Sequence, residues 1–307
     1  MFCSLFYALY NQIKHQPNLK ETLQAIWTQW NGERIFLLCI VFVLMAANWL
    51  MEALKWRLLI KNTESISLLR ALQSVLTGVA VSVITPNRIG EYMGRILYLK
   101  NVNKLKGITV TIVGSFAQLI VTSLMGIIGL LYYLFIGKNT DWTWALRLFG
   151  ISSLFLFFFF VFAYYRLEKI SNFNQRFPIF KKINIYLQVV ARFDKKQLHA
   201  VLVLSFVRYF IYSTQFVIIF YLFLVKVNFI TLLLIVWLIF WAMAIIPSIT
   251  LAELGIRSEI AIFFLTPFSM NQVGIISSSL LLWFVNLIIP ALIGSVFVFK
   301  MKVFDDE

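Results

Sequence analysis

The chain has 307 residues, of which 61% are hydrophobic and 13% charged, with a formal net charge of +14. A soluble domain needs about a quarter of its residues charged, so this composition excludes a water-soluble enzyme and points to an all-α, polytopic membrane protein built from apolar runs of about 20 residues. The positive charge is spread over the segments between those runs, which assigns it to the anionic cytoplasmic leaflet and argues against a nucleic-acid partner.

Residues 1–13 are apolar but short, and lack the basic start and small-residue cleavage site of a signal peptide. The segment 14–34 is polar and amphipathic, with Leu19, Leu23, Ile26 and Trp30 on one helical face. Residues 35–54 form the first convincing crossing, followed by a basic loop at 55–65. Residues 66–84 are apolar apart from Arg70, and TPNRIGEYMGRILYLK at 85–100 then breaks the pattern. Strong crossings at 107–135 and 143–165 are joined by a polar turn at 137–142. Residues 166–197 form a sizeable basic stretch, 198–225 another crossing, and 229–247 an apolar run that ends in a second interruption, PSITLAELGIRSE, at 247–259. A short apolar stretch at 260–268 precedes the last crossing, 272–299, in which Pro290 reads as a kink, and the tail 300–307 is polar. The expected organisation is a single membrane domain over 1–307, with an N-terminal segment 1–34, a first half 35–165, a cytoplasmic loop 166–197, a second half 198–299 and a tail 300–307.

Charge asymmetry orients these elements. The segments 55–65, 100–106, 166–197 and 300–307 hold 16 Lys and Arg, against 5 in 14–34, 136–142 and 226–228, which places the first group and the C-terminus in the cytoplasm. Each interrupted segment leaves and returns to the same side. Re-entrant hairpins and pairs of full crossings give the same parity, but the short second arm of each favours re-entrant hairpins in an approximate inverted repeat. Two cysteines, Cys3 and Cys39, and two histidines, His15 and His199, have no metal-ligand spacing, so neither metal nor cofactor is expected.

Both interruptions place a proline before a glycine flanked by acids and bases. The first has Pro86, Arg88, Gly90, Glu91, Gly94 and Arg95; the second has Pro247, Glu253, Gly255, Arg257 and Glu259. Proline ends or kinks the incoming helix. Freed backbone survives at membrane depth only when buried in protein or facing a wet cavity, and charges there are functional candidates. On a helix over 86–99, Arg88, Glu91 and Arg95 share one face. Glu91 can pair with either arginine, and the other is suited to a phosphate, whose oxygens match the guanidinium fork. Glu253 and Arg257 are i, i+4 and can pair. Arg208, midway along 198–225, either completes a cavity or neutralises Glu253 or Glu259. Gly90 and Gly94 permit close helix packing. Two readings stay open: ion pairs that hold each hairpin together, or charges that meet a substrate.

At these motifs the chain resembles the transmembrane domain of the lysylphosphatidylglycerol synthase family, also called flippase-like proteins. TPNRIGEYMGR resembles that family's Pro–x–Arg–x–Gly–Glu–x–x–x–Arg element, Lys55-Trp56-Arg57-Leu58-Leu59 its upstream basic stretch, and PSITLAELGIRSE its second element. The chain departs from the family in having Ala252-Glu253 where glycines are commoner, in a shortened first crossing, and in lacking the soluble aminoacyl-transfer domain of full synthases. The resemblance implies the flippase half, with membrane phospholipids of anionic headgroup as partners and the bacterial plasma membrane as location. Arg88, Arg95 and Arg257 would contact the headgroup, and Glu91 and Glu253 would hold them. Alternatives are a membrane-embedded lipid-modifying enzyme, disfavoured by the lack of a catalytic constellation, and a scaffold for a separate lipid-metabolism partner protein docking on 166–197.

Overall fold

Apolar side chains commit a segment to hydrocarbon, where every backbone N–H and C=O needs an internal partner; helices supply one within the segment itself. In the computed structural model the described residues (Gln24, Thr28, 31–83, 85, 89–99, 104–136, 143–166, 193–246 and 250–304) are helical with short connections, and contain no strand. Pro86, Arg88, Pro247, most of 1–30 and most of the basic stretch 166–197 lie outside them.

In chain order the helices are α1 (Gly32–Ile60), α2 (Leu68–Val83), α3 (Ile89–Ile96), α4 (Lys104–Phe135), α5 (Thr143–Tyr165), α6 (Lys195–Leu222), α7 (Phe229–Ile245), α8 (Thr250–Leu265), α9 (Gln272–Trp283), a π-helical turn Phe284–Ile288, and α10 (Ile289–Phe304). Among the described residues five helical spans are long and apolar enough to cross a membrane: Gly32–Ile60, Lys106–Phe135, Trp144–Tyr165, Lys195–Leu222 and Gln272–Phe299. α5 presents Ile151, Phe155, Phe158 and Phe162 outward. In hydrocarbon such exposure carries no hydrophobic penalty.

Two expectations are corrected here. The first crossing is not shortened: α1 has 29 residues. It also continues through residues 55–60, which the sequence pattern assigns to a loop. Lys55 does not end the helix because its ammonium is neutralised inside the protein by Glu52, one turn earlier at 2.7 Å. Trp56, Leu59 and Ile60 are buried beside it.

The broken helices fall short of a span. At about 1.5 Å per residue, the 16 residues of α2 reach about 24 Å and the 8 of α3 about 12 Å, against a core of about 30 Å. The 17 residues of α7 and 16 of α8 also fall short of it.

The chain divides into two compact units that interleave in sequence, unit 1 comprising 1–47, 125–150 and 210–289 and unit 2 comprising 48–124, 151–209 and 290–307. Unit 2 contains the α2–α3 hairpin. Its core gathers Trp56, Leu59, Val75, Ile96, Val110 and Tyr164. The hairpin is closed by glycine. A Cβ on Gly94 would lie 2.6 Å from the Gly78 Cα and 2.8 Å from the Thr77 carbonyl oxygen. The partner of Gly94 is therefore Gly78 on the facing helix. Ser74 donates its hydroxyl to the Arg95 carbonyl at 2.7 Å, and the Gly90 N–H donates to the Thr85 hydroxyl at 2.8 Å where α3 begins.

Unit 1 contains α7, α8 and α9. Asn228 caps α7 by accepting from the Ile230 N–H at 3.0 Å, and Asn271 caps α9 by accepting from the Gly274 N–H at 2.8 Å. The Asn271 amide also donates to the Phe223 carbonyl at 2.9 Å and the Leu224 carbonyl at 3.2 Å. That contact anchors the end of α6, where Leu224 takes a left-handed φ of 61° in a position usually held by glycine. Pro290 has no N–H and its ring crowds the carbonyl four residues earlier, that of Asn286. The helix widens there into the π turn Phe284–Ile288. Asn286 donates to Gln215 Oε1 at 2.9 Å, and Gln215 donates to the Val41 carbonyl at 2.9 Å.

Gly94→Ala tests the hairpin contact. Helix propensity alone predicts a gain of about 1 kcal/mol. The Cβ meets backbone on two sides, so the expected result is a net loss of about 1–3 kcal/mol, seen as a lower midpoint in thermal unfolding of the detergent-solubilised protein. A raised midpoint would refute the close approach.

Candidate functional site

Unit 2 gathers one cluster of ionisable groups around a single carboxylate. Glu52 stands on α1 near the end of a long apolar run. Its Oε2 lies 2.7 Å from Lys55 Nζ and 3.1 Å from Arg208 Nη1, and its Oε1 lies 2.9 Å from Arg95 Nη2. Arg95 also pairs with Glu91, one turn earlier on α3. Arg208 on α6 further donates to Gln118 Oε1 on α4 at 3.2 Å. Glu52, Lys55 and Arg95 are buried, while the Arg208 side chain keeps 23% exposure, which makes it the accessible cation of the set. The guanidinium carbons of Arg95 and Arg208 each stand 5.8 Å from an indole centroid, of Trp56 and Trp49 respectively.

Among the described residues three cationic side chains face two carboxylates, leaving one positive charge in excess. The same unit holds buried donors with no hydrogen-bond partner: Arg95 Nε, Arg208 Nε, and the indole N–H groups of Trp49 and Trp56. Buried polar groups are ordinarily satisfied, so surplus positive charge and unsatisfied donors together favour an anion.

Unit 1 repeats part of this chemistry on α8. Arg257 pairs with Glu253 and donates to the Tyr212 hydroxyl on α6 at 3.1 Å. Tyr212 is stacked on Phe240 of α7 with centroids 4.8 Å apart and rings 12° from parallel. Glu253 and Arg257 are buried, and Glu259 is half-buried further along the same helix. Gly255 is buried between the paired residues. Ala252 and Glu253 lie in the first turn of α8, so this departure from the family's glycines falls in helix.

The expected i, i+4 pair Glu253–Arg257 is present, and Glu91 pairs with Arg95. Gly90 opens α3; Arg88, Pro86 and Pro247 lie outside the described residues. Of the two roles left open for Arg208, the one that pairs it with Glu253 or Glu259 is corrected: its carboxylate partner is Glu52. Sequence inspection misses Glu52, although a lone acid inside an apolar run, three residues before a lysine, is the available signal. Tyr212 and Gln118 gave none. No group of three or more His, Cys, Asp or Glu able to hold a metal ion occurs among the described residues.

Five spanning helices and two short broken hairpins define an integral, multi-pass α-helical membrane protein. The chain belongs to the lysylphosphatidylglycerol synthase transmembrane region family, whose profile matches residues 19–294. No curated protein matches it.

Glu52→Gln leaves Lys55, Arg95 and Arg208 without their shared counter-charge. The expected loss is about 3–5 kcal/mol, the range for a broken buried pair. Glu91 is 30% exposed, so Glu91→Gln should lower the unfolding midpoint less. Equal or reversed shifts in thermal unfolding would show that Glu52 does not organise the cluster.

Proposed function

We propose that the protein is a flippase-like transporter that moves an anionic phospholipid or lipid-linked headgroup between leaflets and performs no covalent chemistry on it. The observation that carries this reading is the buried cluster of unit 2, with one cation in excess and four unpartnered donors. Membership of a family named for a lipid synthase's membrane region supports a lipid as its substrate. In the resting state Glu52 occupies the place of a substrate anion. A phosphate exchanges with it on Arg208, the more exposed cation, and then on Arg95. Two guanidinium forks and two indole N–H groups match phosphate oxygens in number and kind.

Glu91 keeps Arg95 oriented during that exchange. In unit 1, Arg257, held by Glu253 and Tyr212, is the corresponding cation, with Glu259 nearby in sequence. Arg88, just before Ile89 in the sequence, is assigned to the same anion. Pro86 and Pro247 are the helix-breaking residues of the two motifs in the sequence, each followed by a glycine, Gly90 and Gly255. The two charged breaks form an approximate inverted repeat, the arrangement in which secondary transporters place their sites. Basic loops put the C-terminus in the cytoplasm, and the plasma membrane of a bacterium is the membrane assigned.

Reconstitution into liposomes tests this reading. The wild-type chain should accelerate translocation of a fluorescent phosphatidylglycerol. Arg95→Gln with Arg208→Gln should slow it at least about tenfold, the worth of one charge-assisted contact. The Arg88→Ala, Arg257→Ala pair should slow it as well. Unchanged rates in the first pair, with the protein folded in the bilayer, would remove the cluster from the transport path.

A further inference from the structure

α1 shows two chemically different faces within unit 2. A residue turns the helix by about 100°, so Glu52, Lys55, Trp56 and Leu59 lie on one side and Leu54, Arg57, Leu58 and Lys61 on the opposite one. The first side is the charged cluster and core already described. The second lines an open cavity of about 380 Å³, together with Ser65, Ile66 and Leu204. That volume falls in the range of small-molecule sites, about 300–1,000 Å³.

The lining is ordered along the helix. Leu54 lies deepest in the span, Arg57 and Leu58 one turn on, and Lys61 just beyond the last helical residue. Leu204 faces them from α6, and Ser65 adds a hydroxyl from the connection to α2. Cations therefore stand at the end of a spanning helix, where headgroups lie, and leucines stand one to two turns further in. No acidic side chain lines the cavity.

The wall is fixed. Arg57 donates from Nε to the Ile66 carbonyl at 3.1 Å, which holds the guanidinium in place. The connection itself is tied to α6, with Asn62 donating to Gln197 at 2.9 Å and Gln197 donating to the Leu58 carbonyl at 2.8 Å. A free phosphate would use Arg57 and Lys61 and leave the four aliphatic walls idle. A neutral lipid would use those walls and leave two cations without a partner.

We infer that this cavity is a resident site for an anionic glycerophospholipid, with its phosphate on Arg57 and Lys61, a glycerol oxygen at Ser65, and the start of an acyl chain along Leu54, Leu58 and Leu204. The site is separate from the Glu52 cluster, on the other face of α1, and it stands whether or not that cluster transports lipid.

Native mass spectrometry of the full chain, purified in mixed micelles of phosphatidylglycerol and phosphatidylcholine, tests it. The wild-type protein should retain phosphatidylglycerol preferentially. Arg57→Gln with Lys61→Gln should reduce that retention about 30-fold, as expected for two interfacial cations. Leu204→Trp, which fills the cavity and leaves both charges, should reduce it too. Arg70→Gln, a basic residue of α2 outside the lining, should keep it. Four outcomes overturn the proposal: undiminished retention in the Arg57/Lys61 variant, undiminished retention in Leu204→Trp, equal loss in Arg70→Gln, or displacement of the lipid by excess inorganic phosphate.

Discussion

A carboxylate buried among three cations organises unit 2. Burying any one of these charges alone is prohibitive in hydrocarbon, and a pair breaks even only with good geometry and further hydrogen bonds. Glu52 meets both conditions by using both oxygens, one for Arg95 and one shared by Lys55 and Arg208. Residues on α1, α3 and α6 are thereby fixed to one point, and Gln118 adds α4. Lipid tails are as apolar as leucine, so burial does little to choose among helix registers. A cluster whose members cannot be buried separately makes that choice.

The helix breaks reuse a smaller version of the device. α3 and α8 each carry a glutamate in the first turn and an arginine four residues later. An acid in the first turn complements the positive end of the helix dipole, and the Glu-before-Arg order is the favourable one. A helix restarting at membrane depth needs this help, because its first N–H groups have no intrahelical acceptor. The two copies differ in their surroundings. Arg95 is drawn on to Glu52, into a cluster with excess positive charge. Arg257 is completed by a neutral phenol, Tyr212, which is itself held by stacking. The shared pattern explains how both helices start, and the difference explains why the anion-binding proposal rests on unit 2.

Much of this was legible in the chain. Run length located the spans, and residues 143–165 match α5 at both ends, because a long apolar run with a single charge near its start, Arg147, is bounded by polar segments. Proline followed by glycine and paired charges located both breaks, and spacing predicted the Glu253–Arg257 pair. What was not legible is pairing at a distance. Arg208 is visibly expensive within its run, but nothing local names Glu52 as its partner. Hydropathy averages away a single acid in a long apolar segment. The same averaging turns Lys55 into a loop residue, since a lysine next to tryptophan and arginine reads as an interface until its counter-ion is known.

Lys55, Arg57 and Lys61 show how far position outweighs residue type. They fall within seven residues at the end of one helix, Lys61 just past its last residue, and count equally in any tally of loop charge. Lys55 faces inward and is neutralised at 2.7 Å by Glu52, so it contributes to the register of the unit and little to its outside field. Arg57 and Lys61 face the other way, are exposed, and stand over leucines beside a cavity without acids. On the lipid-site proposal their charge is directed at an anionic headgroup. A rotation of about 100° per residue is enough to send three neighbouring cations to two environments, one settled by a protein carboxylate and one matched to an anionic headgroup. A basic stretch beside a spanning helix has to be resolved by face before its charge is given a meaning.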